Sequence, residues 1–168
     1  MTTALYEPER FRSPAYLAVL DEAATNEQLC VSTQNLDELR QLSEAGYPLE
    51  VCGLLVGTVS HGHWHIQQIR PVANLNTERA ADRFQLDPAA YQSIDRELRD
   101  TDLEIIGVYH SHPDCPAKPS PTDLSSAWEG FAYPIVSVCE GKAVEVRCWA
   151  LNADADRFRE IMIVETAP

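Results

Sequence analysis

Apolar residues recur along this chain with two periods, one typical of helices and one typical of strands. Between residues 31 and 49, leucines lie at helical spacing behind a Ser-Thr pair that can cap a helix, and Gly46 ends the run. A second helix is predicted behind Asp87, because Pro88 takes its first position. A third, short helix is predicted over residues 120–130. The helices are therefore spread along the chain.

Short apolar or alternating segments lie between these helices and predict strands. The segment LEIIGVY is a continuous apolar run, as expected of a strand that is covered on both faces. Two other segments flank Gly62 and form a predicted hairpin. The mixed order of strands and helices predicts an α/β fold, with one mixed β-sheet flanked by helices. The predicted strands are residues 51–60, 61–72, 103–109, 134–140, 143–151 and 158–165.

The N-terminal residues fit this pattern least well. We expect residues 1–30 to be an extension with a short helix, in which Ser13 caps and Pro14 takes the first position. Residues 31–168 are then the predicted domain. A loosely packed terminal helix is the favoured reading of the extension, and roles in homodimerisation or in covering a groove are the alternatives.

Composition narrows the classes of partner. The chain has 168 residues and a formal net charge of -13, so a nucleic-acid partner is not expected. The sequence holds no apolar run long enough to span a membrane. Its 5 cysteines are scattered and form no CxxC pair, which favours free thiols in a reducing compartment. We therefore expect a cytoplasmic protein that binds neither nucleic acid nor membranes.

The candidate chemistry begins with two histidines after the apolar run. His110 and His112 are two residues apart, so on a strand their side chains share one face and can bind one metal ion. Asp123 is a candidate third ligand, and three protein ligands leave a position open for catalysis. The alternative for Asp123 is structural, because Ser120-Pro121-Thr122-Asp123 is also a good helix start with a capping box.

A hydrolytic metal site also needs a base. Glu50 directly precedes an apolar strand segment, and a carboxylate placed there can take a proton from water and deliver it to a leaving amine. The alternative is a solvated carboxylate at a strand edge.

Together these residues resemble the JAMM/MPN+ zinc metalloprotease family, in its prokaryotic single-domain form. The family motif is an upstream Glu, then H-x-H-P, six residues and S-x-x-D. This chain has Glu50, HSHP at residues 110–113, six residues at 114–119 and SPTD at residues 120–123. The segment EVCGLLVG around the glutamate also resembles the family. The resemblance implies an MPN fold related to that of cytidine deaminase.

The resemblance also implies a role for each motif residue. His110, His112 and Asp123 would hold Zn²⁺, Glu50 would be the general acid and base, and Ser120 would donate a hydrogen bond to the oxyanion. The family hydrolyses peptide or isopeptide bonds after the C-terminal Gly-Gly of ubiquitin-like proteins. The implied partner is therefore a ubiquitin-like or sulfur-carrier protein of β-grasp fold.

Three functions remain open on this basis. The first is a deubiquitinase-like isopeptidase. The second is a processing hydrolase of sulfur-carrier or cysteine biosynthesis, which trims a carrier or releases an amino acid from it. The third is a non-catalytic binding module that keeps the fold, against which the complete motif argues.

Three histidines and one cysteine outside the motif also suggest possible chemistry. His61, His63 and His65 alternate along a predicted hairpin, and we expect a solvent-facing turn there in preference to a metal site. Cys115 lies between the histidine pair and Asp123, where a bystander thiol is favoured over a redox switch.

Overall fold

The computed structural model describes residues 7–167, and its helices follow the capping signals of the sequence. Ser32 caps the long helix by accepting a hydrogen bond from the Asn35 N–H, and Asp87 caps the next one through the Ala89 N–H. Ser13 caps the predicted N-terminal helix in the same way. The helices are a 3-10 helix Glu9–Arg12, α1 Pro14–Leu17, α2 Thr33–Gly46, α3 Pro88–Leu98 and α4 Pro121–Ser125.

The strands form one mixed sheet that closes on itself. Its order is β1-β8-β2-β4-β3-β5-β6-β7, and β7 pairs with β8 as well. Pairing is antiparallel for β3 with both β4 and β5, and parallel for β5 with β6. The strands are β1 Leu20–Asp21, β2 Gln28–Ser32, β3 Cys52–Ser60, β4 His63–Val72, β5 Glu104–Pro113, β6 Tyr133–Cys139, β7 Lys142–Leu151 and β8 Phe158–Thr166.

Two apolar clusters cover the two faces of the central strands. Leu36 and Leu39 of α2 pack into the first cluster, and Ile94 and Leu98 of α3 pack into the second. Almost every residue of β5 is buried, as the continuous apolar run predicts. The predicted hairpin turn is also confirmed, because His61 and Gly62 both adopt positive φ between β3 and β4.

The structure differs from the predicted elements at β1, β2 and the third helix, and β5 continues to Pro113, beyond the predicted end at residue 109. The sequence pattern did not predict β1 or β2, and β2 lies between β8 and β4 across the expected boundary at residues 30 and 31. With only two buried positions, β2 is too short to give a clear period. The third helix ends at Ser125, five residues early, where Ser126 leaves helical geometry.

Two other findings concern the whole described chain. Among residues 7–167 no helix has the length and apolarity needed to cross a bilayer. All 5 cysteines are free thiols, as expected from their scattered positions.

Candidate active site

Three neighbouring elements bring the predicted site residues together. His110 and His112 lie near the end of β5, where alternation directs both side chains to one face. Cys52, the first residue of β3, pairs with His110, so Glu50 lies just beyond the paired region on the adjacent strand. The N-terminus of α4 then brings Asp123 to the same place.

The two imidazoles and the carboxylate face a common centre. The Nε2 atoms of His110 and His112 are 3.0 Å apart. Asp123 Oδ2 lies 3.5 Å from the His110 Nε2 and 3.7 Å from the His112 Nε2. Both histidines are buried, and this is the one group of three metal-ligand side chains that residues 7–167 bring together.

Contacts around the histidines hold the rings in orientation. The His112 Nδ1–H donates to the Pro116 carbonyl at 2.8 Å, which leaves the Nε2 lone pair directed at the centre. The His110 ring stacks on Phe84, with the ring centres 4.6 Å apart. Within the described chain the buried His110 Nδ1 has no hydrogen-bond partner.

The charges of the cluster are complementary. Burial by itself would raise the pKa of the Asp123 carboxyl, but attraction to His110 and His112 outweighs burial and holds the pKa well below its usual range. Burial would lower the pKa of His112, yet the hydrogen bond and attraction to Asp123 outweigh it and raise the pKa. The Asp123 carboxylate is therefore ionised, which is the form that binds a metal ion.

The donor set fits zinc. Tetrahedral zinc with bonds of about 2.0–2.2 Å separates neighbouring ligand atoms by roughly 3.3–3.5 Å. The three separations between His110 Nε2, His112 Nε2 and Asp123 Oδ2 are 3.0, 3.5 and 3.7 Å, close to that range. Two nitrogens and one carboxylate oxygen are also ligands that zinc binds readily.

Glu50 is buried beside this cluster. Its Oε1 lies 4.0 Å from the His112 Nε2, and only 7% of the residue is exposed. Burial raises the pKa of the Glu50 carboxyl, although the two histidines partly oppose this effect. A raised pKa makes this carboxylate a better proton acceptor than an ordinary glutamate, as a general base requires. The alternative of a solvated strand-edge carboxylate is therefore wrong.

Ser120 and Asp123 also form the predicted capping box. The Asp123 N–H donates to Ser120 Oγ at 3.1 Å, and the Ser120 N–H donates to Asp123 Oδ2 at 2.8 Å. Asp123 therefore both caps the helix and faces the two histidines, because the same Oδ2 atom makes both sets of contacts. Ser120 Oγ acts as an acceptor in the cap, so its hydroxyl hydrogen stays free to donate elsewhere.

The site opens into a cleft of about 460 Å³. Its walls include residues that the sequence pattern did not single out, namely Arg10, Phe11, Phe84 and Trp128. Phe84 lies in a segment whose polar sequence predicts a loop. Trp128 is 50% exposed and lines the cleft. No local period marks such residues, because they reach the site through contacts that are distant in sequence.

The hairpin histidines have other partners. His63 Nδ1 accepts a hydrogen bond from the Gln28 N–H at 3.1 Å, and His65 Nε2 lies 3.3 Å from Ser60 Oγ. His61 lies in the turn itself. Only His61 therefore lies in the predicted solvent-facing turn, whereas His63 and His65 are half-buried residues of β4.

Comparisons with known proteins agree with this geometry. Residues 32–152 match the family model described as prokaryotic homologs of the JAB domain. A desampylase from Haloferax volcanii is 33% identical over 135 residues, covering 76% of this chain and 86% of the relative. A CysO-cysteine peptidase from Mycobacterium tuberculosis is 29% identical over 120 residues, covering 71% of this chain and 80% of the relative.

Solved structures show the same fold. A solution structure of a protein from Salinibacter ruber has 36% sequence identity and a TM-score of 0.63, covering 83% of this chain and 92% of its own. A solution structure of a protein from Desulfitobacterium hafniense has a TM-score of 0.71 at 24% identity, covering 84% of this chain and 94% of its own.

Proposed function

The chain belongs to the family of prokaryotic homologs of the JAB domain, and from this premise we propose that it is a zinc-dependent JAMM-type metallopeptidase. Its substrate is the peptide or isopeptide bond after the C-terminal Gly-Gly of a ubiquitin-like protein. The observation that carries the proposal is the convergence of Glu50 with His110, His112 and Asp123 in one cleft.

Each of these residues has a proposed task. His110, His112 and Asp123 would hold Zn²⁺, which when bound would supply Lewis-acid activation of the water and of the scissile carbonyl. Glu50 takes a proton from the attacking water and returns it to the leaving amine, which its raised pKa favours. Ser120 donates its free hydroxyl hydrogen to stabilise the oxyanion.

The relatives support two versions of the substrate. Desampylases from Haloferax volcanii and Pyrococcus furiosus are 33% and 30% identical to this chain, and they favour an isopeptidase that removes a ubiquitin-like protein from its targets. The CysO-cysteine peptidase favours the second candidate, a processing hydrolase that releases an amino acid from a sulfur-carrier protein. Both candidates need the same catalytic residues and differ in the leaving group.

Several broader expectations remain proposals. We propose that the chain acts in the cytoplasm, in keeping with its free thiols. A homodimer, the division into residues 1–30 and 31–168, and the relation to the cytidine deaminase fold also stay predictions.

The test is a cleavage assay read by mass spectrometry. The substrates are small β-grasp carriers extended beyond Gly-Gly by a peptide, a lysine isopeptide or a single cysteine. We expect cleavage after Gly-Gly that a chelator or Glu50→Gln abolishes. The matched control is Glu78→Gln, which removes an equal charge from an exposed position. Zinc-loaded protein that cleaves none of the substrates would exclude the proposal in favour of a binding module.

A further inference from the structure

The N-terminal segment, residues 7–17, packs beside the candidate active site. Phe11 is only 5% exposed, and its ring centre lies 6.3 Å from that of His112. The Glu7 carboxylate accepts a 2.8 Å hydrogen bond from Lys118, in the loop between the histidine pair and α4. The segment is thus part of the cleft wall, although it precedes residues 32–152 that match the family model.

Arg10 is the cation that this segment places in the cleft. Its guanidinium Nη2 donates to Cys115 Sγ at 3.1 Å, and thiol sulfur is a weak acceptor. Among residues 7–167, no carboxylate lies within salt-bridge distance of Arg10, although the chain has a net charge of -13. Arg83, which also lines the cleft, lies 3.8 Å from Asp82.

The free donors of Arg10 suit a planar anion. A guanidinium carries five N–H donors in a fixed fork that matches a carboxylate, and a weak bond to sulfur occupies little of that capacity. The Arg10 guanidinium carbon lies 5.2 Å from the Phe11 ring centre, which holds it against the cleft wall. The position is therefore built to receive a carboxylate from the cleft.

Distance limits where that carboxylate lies on a substrate. The Phe11 ring centre lies 5.2 Å from the guanidinium carbon and 6.3 Å from the centre of the His112 ring, so the guanidinium and the His112 ring are at most about 11.5 Å apart. One residue spans about 3.8 Å between successive Cα atoms. Arg10 therefore lies within about three residue lengths of the metal ligands. The free α-carboxylate of a short leaving group comes within its range, and a single amino acid is the shortest such group.

We propose that Arg10 is a specificity-determining residue that binds the free α-carboxylate of a single-residue leaving group. This inference rests on the proposed function and deepens it. A lysine side chain within a target protein carries no carboxylate next to the scissile nitrogen, so Arg10 favours the processing hydrolase over the isopeptidase. Arg10 takes no part in bond cleavage: water supplies OH to the acyl carbon and H to the amine.

The experiment compares two substrates that differ only at the C-terminal group. One is a β-grasp carrier ending in Gly-Gly-Cys with a free carboxylate, and the other is the same carrier ending in Gly-Gly-Cys-amide. The values of kcat/KM are measured for the zinc-loaded wild type, Arg10→Gln and Arg12→Gln. Arg12 is the matched control, because it lies in the same segment but pairs with Glu7 at 3.2 Å.

We expect the wild type to prefer the free acid by about tenfold or more, the range of a charge-assisted hydrogen bond. Arg10→Gln lowers this ratio toward one, mainly through a higher KM for the acid, whereas Arg12→Gln keeps it. The ratio is internal to each enzyme, so partial loss of folded protein does not change it.

The outcomes separate the two levels of the proposal. Cleavage of both substrates without an acid preference, or a preference that survives in Arg10→Gln, overturns the role of Arg10 and leaves the peptidase intact. Cleavage of a lysine isopeptide, but of neither substrate ending in Gly-Gly-Cys, likewise overturns the role of Arg10 and leaves the peptidase intact. If the wild type cleaves neither these substrates nor the isopeptide, the proposed function fails as well.

Discussion

Asn74 joins Glu50 to the loop that carries Phe84, so we expect it to control the position of the candidate base. Its amide nitrogen donates to the Glu50 carbonyl at 3.1 Å and to the Arg83 carbonyl at 3.0 Å. Its amide oxygen accepts from the N–H groups of Asn76 at 3.0 Å and Gln85 at 2.9 Å. The bond to Glu50 joins the loop to the residues just before β3, and the other three bonds hold the shape of the loop itself.

The substitution Asn74→Asp isolates the donor half of this arrangement. The first carboxylate oxygen keeps both accepted bonds, while the second faces the carbonyls of Glu50 and Arg83 and cannot donate. Each lost donor bond is worth about 0.5–1.5 kcal/mol net, so the substitution costs about 1–3 kcal/mol of unfolding free energy. Displacement of a catalytic group by ~1 Å can reduce turnover by roughly a hundredfold, so we expect kcat to fall by about ten- to a hundredfold.

Carrier cleavage kinetics and urea denaturation measure the two effects. Asn76→Asp is the charge-matched control, since Asn76 uses its amide oxygen to accept from the Arg79 N–H and its nitrogen makes no hydrogen bond within residues 7–167. We expect Asn76→Asp to retain activity and stability close to wild type. If the two variants behaved alike, charge in the loop and not the lost donors would explain the result, and the reasoning would be refuted.

Three further predictions concern the metal and the sheet. His112→Ala should lose zinc by elemental analysis while His65→Ala retains it, and the reverse pattern would place the zinc at the hairpin. Removing zinc held at a hundred times its Kd should lower the unfolding free energy by about 2.7 kcal/mol, and a thermal midpoint insensitive to chelator would contradict a zinc site in the fold. Gly107→Ala would bring a Cβ into collision with the Ala132 carbonyl oxygen, so we expect the free energy of unfolding, measured in denaturant, to fall by about 1–3 kcal/mol. Wild-type stability in that variant would mean that β5 can shift away from Ala132.

The chemistry of the site could be anticipated from local sequence. Alternation along a strand puts His110 and His112 on one face whatever the rest of the fold does. A Ser-Pro-Thr-Asp start likewise directs Asp123 back to the helix N-terminus. Such relations extend over only a few residues, so the order of the amino acids contains them.

The surroundings of the site could not be anticipated in this way. Asn74 meets Glu50 across 24 residues, and Arg10 meets Cys115 across 105 residues. No hydrophobic period or capping pattern in the sequence indicates either contact. The short strand β2 escaped detection for a related reason, because its place depends on β4 and β8, which follow it along the chain.

The sequence by itself thus determined most of the helices and strands, the candidate ligand set and the family resemblance, since periodicity, caps and motif spacing act over short stretches of chain. Only the tertiary structure decided that β3 lies beside β5, which brings Glu50 to the histidines, and that the N-terminal segment lines the cleft. Strand pairing and packing of this kind join residues far apart in the chain, and their free energy depends on the whole closed sheet.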